Sequence, residues 1–244
     1  MKDVVHREYR QQSEHWWFRA RRTIFARLLD ELIRPPGDAR ILDVGPGSGI
    51  NLPVLRGRGR VTVLDTSRAS LEHCRAAGAD AVVQGDATLP PFAAASFDLI
   101  CALDVVEHLD QDREALAACR RLLRPGGHLL LSVPALPILW GRQDVLSGHH
   151  RRYRRRELEE RVRAAGFAIR KLSYFNTLLF GPILAVRLAM RPFLRWTRAG
   201  SSDLGTPSLG LDNLLYRAFA AEAPWLVKHR LPFGVSLLCW AVAE

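Results

Sequence analysis

Short apolar runs ending in a glycine or a carboxylate alternate with stretches of helical periodicity from residue 39 to residue 134. Ile41-Leu42-Asp43-Val44 stops at Gly45-Pro46-Gly47-Ser48-Gly49. Arg60 to Leu64 stops at Asp65, Ala81 to Gln84 runs into Gly85-Asp86-Ala87, the run from Phe97 to Leu109 contains Asp104, and a Pro125-Gly126-Gly127 turn opens a fifth run ending at Pro134. Runs this apolar suit strands buried on both faces, and strands separated by helices pair in parallel. The pattern predicts an α/β fold, a parallel sheet with helices on both sides, whose ligand lies at the carboxyl ends of the strands.

Outside that region the pattern changes. Residues 2 to 34 read as a helical cap that stops at Pro35-Pro36-Gly37, where proline cannot continue the helix. A Pro- and Gly-rich loop follows the fifth strand, and a helix then starts near Arg155 and stops at Ala165-Gly166-Phe167. Ala168 to Tyr174 reads as a sixth strand and Phe233 to Val242 as a seventh, with about 60 residues between them, far more than an ordinary loop. Within that insertion Arg187, Arg191, Arg195 and Arg198 form one helical stripe, and Leu184, Leu188, Met190, Phe193, Leu194 and Trp196 cover most of the remaining surface. A basic amphipathic helix fits a membrane interface or the lid of a greasy substrate pocket. It equally fits packing on the domain with arginines in water, or a contact between subunits. Ala199 to Gly210 reads as a loop, and Asp212 as the cap of a second helix reaching about Val227. The apolar runs are too short to span a bilayer.

Length and composition add less. The 244 residues, 48% of them hydrophobic, suit one domain with an elaboration, divided as 1–36 cap, 37–174 core, 175–232 insertion and 233–244 final strand. The formal charge of +10 points to nucleic acid or an anionic surface, yet all but three of the 35 basic residues are arginine, which nucleotide composition also explains. Cys74, Cys101, Cys119 and Cys239 are scattered, and the histidines are not clustered in sequence, so neither a disulfide frame nor a metal site is expected. The N-terminal segment lacks the apolar core of a signal peptide, which places the protein in the cytoplasm, with peripheral contact at the inner membrane face through residues 176–198.

The loop after the first strand carries the chemistry. A dinucleotide fingerprint requires a third glycine at the position of Ile50, so that register fails. The spacing Asp-x-Gly-x-Gly-x-Gly from Asp43 instead resembles the nucleoside loop of class I methyltransferases that use S-adenosylmethionine. Asp65, about 20 residues on, suits the ribose hydroxyls. The segment Asp104-Val105-Val106-Glu107-His108-Leu109 and the Arg124-Pro125-Gly126-Gly127 turn resemble the methyltransferase type 11 group.

That resemblance implies a Rossmann-like seven-stranded sheet with the seventh strand antiparallel between the fifth and sixth. It also implies S-adenosylmethionine as cofactor, S-adenosylhomocysteine as product, and no metal. The cofactor residues it implies are Asp43, Gly45, Pro46, Gly47, Gly49, Asp65, Thr66, Asp86, Ala87, Leu103, Asp104 and Val105, with Trp17 from the cap; Tyr9 or Trp16 would serve in place of Trp17, and all three also suit simple packing of the cap. A carboxylate at position 43 equally suits holding the loop through backbone N–H groups.

His149, on the loop facing the acceptor, is the leading general base, His108 the second, and Tyr153 or Asp144 positions the acceptor. His108 also suits orienting the loop or the cofactor. The arginines flanking Tyr153, from Arg151 to Arg156, suit an anionic substrate or a solvated helix start. The expected reaction is methylation of a small molecule, glycan- or lipid-linked. Methylation of RNA or protein is the first alternative, although no Asn-Pro-Pro-Tyr-like tetrad follows the fourth strand. A nicotinamide oxidoreductase and an inactive nucleoside-binding protein are alternatives of other classes.

Overall fold

The computed structural model describes residues 14–190 and 210–244. Tyr9, Arg191, Arg195, Arg198 and the loop to residue 209 therefore lie outside the described residues. One seven-stranded sheet carries the fold, in the order β3-β2-β1-β4-β5-β7-β6. The strands are β1 (Ala39–Val44), β2 (Gly59–Asp65), β3 (Ala81–Gln84), β4 (Phe97–Leu103), β5 (Leu123–Pro134), β6 (Phe167–Phe175) and β7 (Ser236–Ala243). The first five pair in parallel, while β7 runs antiparallel between β5 and β6, as expected. β7 begins three residues after the expected Phe233, and Gly234 just before it packs so closely on Phe175 that a Cβ there would fall 2.3 Å from the Phe175 carbonyl oxygen.

The sheet buries both faces. On one, Leu42, Val44, Ile100 and Leu129 pack beneath α4 (Asp112–Leu122) and α6 (Arg155–Ala164). On the other, Ile41, Val61, Val63, Leu99 and Cys101 pack beneath α1 (Trp16–Leu28), α2 (Leu52–Leu55) and α3 (Arg68–Ala76). This explains the unbroken apolar runs, since β1 is buried on both sides from Ile41 to Val44. Helix α1 presents Ala20, Ile24, Phe25 and Leu28 as its buried stripe. It passes into a π-helical turn over Leu29–Ile33 and stops at Arg34, in the left-handed conformation, just before the two prolines.

The insertion between β6 and β7 is helical: α7 (Phe180–Met190), α8 (Asp212–Ala220) and α9 (Ala223–Lys228). The second helix is shorter than expected. It ends at Ala220, and Asp212 is its first residue rather than its cap, which is Leu211. Phe219 of α8 stands between Trp17 and Phe175, with ring centroids 5.3 and 6.0 Å away, so the insertion closes over the N-terminal cap. Helix α7 buries none of its residues; Val186, Leu188 and Met190 are exposed, and Arg187 is half-buried over Gly141. No helix among the described residues is long and apolar enough to cross a membrane.

Candidate active site

The sheet order reverses between β1 and β4, so two neighbouring loops diverge there and leave a crevice. Gly45 starts one of them, with φ +61°, and its N–H donates to the Leu64 carbonyl at 2.8 Å. A Cβ on residue 45 would sit 2.8 Å from Val105 Cγ2, so only glycine lets the β1 and β4 loops approach this closely. The cavity they open has a volume of about 1060 Å³, room for a nucleoside cofactor and an acceptor together.

Most of the expected cofactor residues line it: Gly45, Pro46, Gly47, Asp65, Thr66, Asp86, Ala87, Leu103, Asp104, Val105 and Trp17. Asp65 accepts the Ser67 N–H at 2.8 Å through one oxygen, which fixes the carboxylate at the tip of β2. Asp86 accepts from the backbone N–H and the hydroxyl of Thr88, and those bonds hold its carboxyl below the usual range. A glycine cradle that a methyl group would fill, with carboxylates at successive strand tips, fits an adenosyl ligand.

Two cofactor expectations need correction. Asp43 is 1% exposed and does not reach the cavity; burial, reinforced by the charge of Asp65, pushes its carboxyl up to about 8. Its position inside β1, a residue before the strand ends, explains why. Gly49 also turns away, its missing side chain making room for Leu52 and Cys74.

The far end of the cavity is built by the loop after β5. Short helix α5 (Arg142–Ser147) ends at Gly148, whose φ of +72° turns the chain back so that the His149 N–H donates to the Asp144 carbonyl. The His149 ring then meets the Asp144 side chain, Nδ1 to Oδ1, at 2.8 Å. Asp144 is buried, which raises its carboxyl. Hydrogen bonds from His149, from Arg152 Nε at 2.8 Å and from the Gly141 N–H outweigh burial and bring it to about 2. An ionised carboxylate only accepts, so Nδ1 is the ring nitrogen that donates to Asp144, and Nε2 is the one turned toward Glu107. That Nε2 lies 3.9 Å from Glu107 Oε1, and the His108 ring meets the His149 ring edge-on with centroids 4.7 Å apart.

Glu107 is 0% exposed and neither of its oxygens accepts a hydrogen bond among the described residues. Burial and the neighbouring Asp104 push its carboxyl well above the usual range. It lies in the quoted Asp-Val-Val-Glu-His segment, but only the fold turns its side chain into the cavity. Arg21 from the cap and Arg152 from the arginine run around Tyr153 also line the cavity, each buried against a carboxylate.

Tyr153 is a correction. It is fully buried, its hydroxyl donates to Asp112 Oδ2 at 2.5 Å, burial raises its pKa, and it does not line the cavity; it anchors the start of α6. Asp144 lines the cavity and holds the His149 ring. The arginine run beside Tyr153 is largely consumed internally, with Arg151 on Asp112, Arg152 on Asp144 and Arg156 on Glu160. The expectation of no metal site rested on spacing along the chain. In space, one ligating atom from each of Glu107, His108 and His149 lies within 4.8 Å of the others.

The fold and this crevice define a Rossmann-like α/β protein with its cavity at the switch point of the sheet. Residues 42–131 match the family model described as a methyltransferase domain, a match that supports a class I S-adenosylmethionine-dependent methyltransferase. A Mycolicibacterium smegmatis protein named "Probable S-adenosylmethionine-dependent methyltransferase" is 29% identical over 161 residues, 64% of this chain and 61% of the relative. The ubiquinone biosynthesis O-methyltransferase of Hahella chejuensis is 31% identical over 137 residues, 53% of this chain and 57% of the relative. This chain therefore spans little more than half the length of these curated relatives. The crystal structure of a methyltransferase dependent on S-adenosylmethionine from Thermotoga maritima superposes with a TM-score of 0.60 at 15% identity, over the whole of both chains, and so shares the fold.

Proposed function

We propose that this protein transfers a methyl group from S-adenosylmethionine to an oxygen atom of a lipophilic or lipid-linked small molecule. The observation that carries the reading is that the glycine and carboxylate end of the crevice and the His149–Asp144 pair open into one cavity. When bound, S-adenosylmethionine supplies an electrophilic methyl group on a sulfonium that departs as a neutral thioether. The chain does the remainder. In this reading Asp65 binds the ribose hydroxyls, Asp86 the edge of the adenine, and the Gly45 loop takes the backbone approach. Trp17 and Arg21 of α1 line the crevice from the cap.

Transfer of this kind is an in-line displacement, so alignment supplies much of the rate. His149 is the group set to activate the acceptor's oxygen, its Nε2 left open by the bond to Asp144. Leu179, Ile183, Val186 and Met190 of the insertion give the acceptor end an apolar wall, which suits a greasy substrate, and the name of the Hahella relative is consistent with one. The exposed apolar residues of α7 suit delivery from a membrane face.

The test is incubation with radiolabelled methyl donor and fractionated cell extract. Label is expected in the lipid fraction; label confined to RNA or protein would overturn the acceptor class, and no heat with S-adenosylhomocysteine in calorimetry would overturn the cofactor. Flotation with anionic vesicles, weakened by Val186→Asp with Leu188→Asp, tests the membrane contact.

A further inference from the structure

We infer that Glu107, His108 and His149 bind a divalent first-row transition metal ion of the zinc type, one per chain, at the acceptor end of the cavity. Three observations carry this. The first is the set itself: a carboxylate and two imidazoles from two separate loops, their ligating atoms all within 4.8 Å of one another. Ligands on one zinc ion stand roughly 3.4 Å apart, so side-chain movements of about 1 Å complete the site. The second is Glu107, fully buried, with both oxygens lacking a hydrogen-bond donor among the described residues and lining the cavity. A buried carboxylate without a donor is costly, and a cation removes that cost. The third is the Asp144 bond to His149 Nδ1 at 2.8 Å, which leaves Nε2 as the coordinating atom. A carboxylate behind a histidine is the usual support of a metal-bound imidazole, since it fixes both tautomer and ring direction.

Two histidines and one carboxylate suit zinc, iron or manganese in preference to magnesium or calcium, and three protein ligands leave a position open. That position faces the cavity. Its use by an acceptor hydroxyl, whose proton the cation's charge would loosen, rests on the methyl-transfer reading above. The uptake of the ion does not. With the ion present His149 serves as its ligand, and the acidity of the hydroxyl is set by the cation.

The experiment uses the full chain, stripped with a chelator and titrated with Co²⁺, followed by its visible absorption and by elemental analysis after gel filtration, with Zn²⁺ as competitor. One equivalent of Co²⁺ is expected, displaced by Zn²⁺. Glu107→Gln and His149→Ala should each lower the affinity at least 100-fold, and Asp144→Asn 10- to 100-fold. His229→Ala, at an exposed histidine outside the cavity, should bind as the parent does. Circular dichroism of each variant separates lost binding from lost folding, and Glu107→Gln keeps the shape of the side chain. Failure of the parent to take up an ion, or undiminished uptake by folded Glu107→Gln and His149→Ala, overturns the inference. Calorimetry with S-adenosylhomocysteine on the stripped protein is read separately: heat there with no ion bound sinks the metal site alone and leaves the cofactor reading standing.

Discussion

The guanidinium of Arg21, on α1, forms an ion pair with the carboxylate of Asp104 at the tip of β4. The same group donates to Ser132 Oγ on β5 at 2.9 Å and lies 5.1 to 5.9 Å from the rings of Phe175, Phe25 and Trp17. One side chain from the cap thus grips the tips of two central strands. Asp104 is itself held in the left-handed region, at φ +58°, with its N–H on the Ser132 carbonyl. The cap is therefore part of the site's architecture.

Arg21 is buried but the Asp104 side chain is 36% exposed, so water compensates part of the charge left when the arginine is removed. Arg21→Ala is expected to lower unfolding free energy by about 1 kcal/mol and to weaken S-adenosylhomocysteine. Urea unfolding followed by tryptophan fluorescence checks the first effect and calorimetry the second. An unchanged midpoint would show that the cap does not depend on this contact.

Asp65→Ala should weaken S-adenosylhomocysteine roughly 10- to 100-fold, the worth of one or two charge-assisted hydrogen bonds. The melting temperature without ligand should hardly move, since Asp65 is only half-buried and its side chain's bond from the Ser67 N–H is local. Equal affinity for parent and variant would remove the ribose assignment.

Gly45→Ala combines a left-handed backbone with a clash against Val105, and a loss of about 2 to 4 kcal/mol is expected. Adding Val105→Ala relieves the clash and leaves the backbone strain. The double variant should therefore be more stable than the sum of the two single losses predicts, by about 1 kcal/mol in a double-mutant cycle. Strict additivity would mean that the two loops yield without cost.

Asp144 supplies a pH dependence. Its carboxyl titrates lower in the folded chain, at about 2, than at the ordinary 3.8, so the unfolded chain binds more protons between those values. The stabilisation is complete above about pH 4 and is lost as pH falls through 2, about 2 kcal/mol in all. Asp144→Asn should be the less stable protein at pH 7, and its deficit should shrink on acidification over that window. Denaturant titrations at pH 7, 4 and 2.5 test this; a deficit independent of pH would mean that the carboxylate's charge is not what holds His149 and Arg152.

The sequence by itself determined the parts of this protein that local chemistry controls. Unbroken apolar runs had to be strands covered on both sides, and a glycine spacing that ends at Ile50 instead of a sixth-position glycine excluded the dinucleotide register. Carboxylates closing successive strands had to converge, because parallel strands place like ends together. The stop at Pro35-Pro36 and the helix end at Gly166 follow from backbone geometry alone.

Tertiary structure decided which polar side chains face the cavity. Asp43 and Tyr153 look like site residues along the chain, yet one lies a residue inside its strand and the other is clamped on Asp112. Glu107 and His149 stand 42 positions apart and meet because two loops at the switch point of the sheet lean together. Side-chain direction at a strand tip depends on the loop packed beside it, which lies far away in sequence, so periodicity carries no record of it.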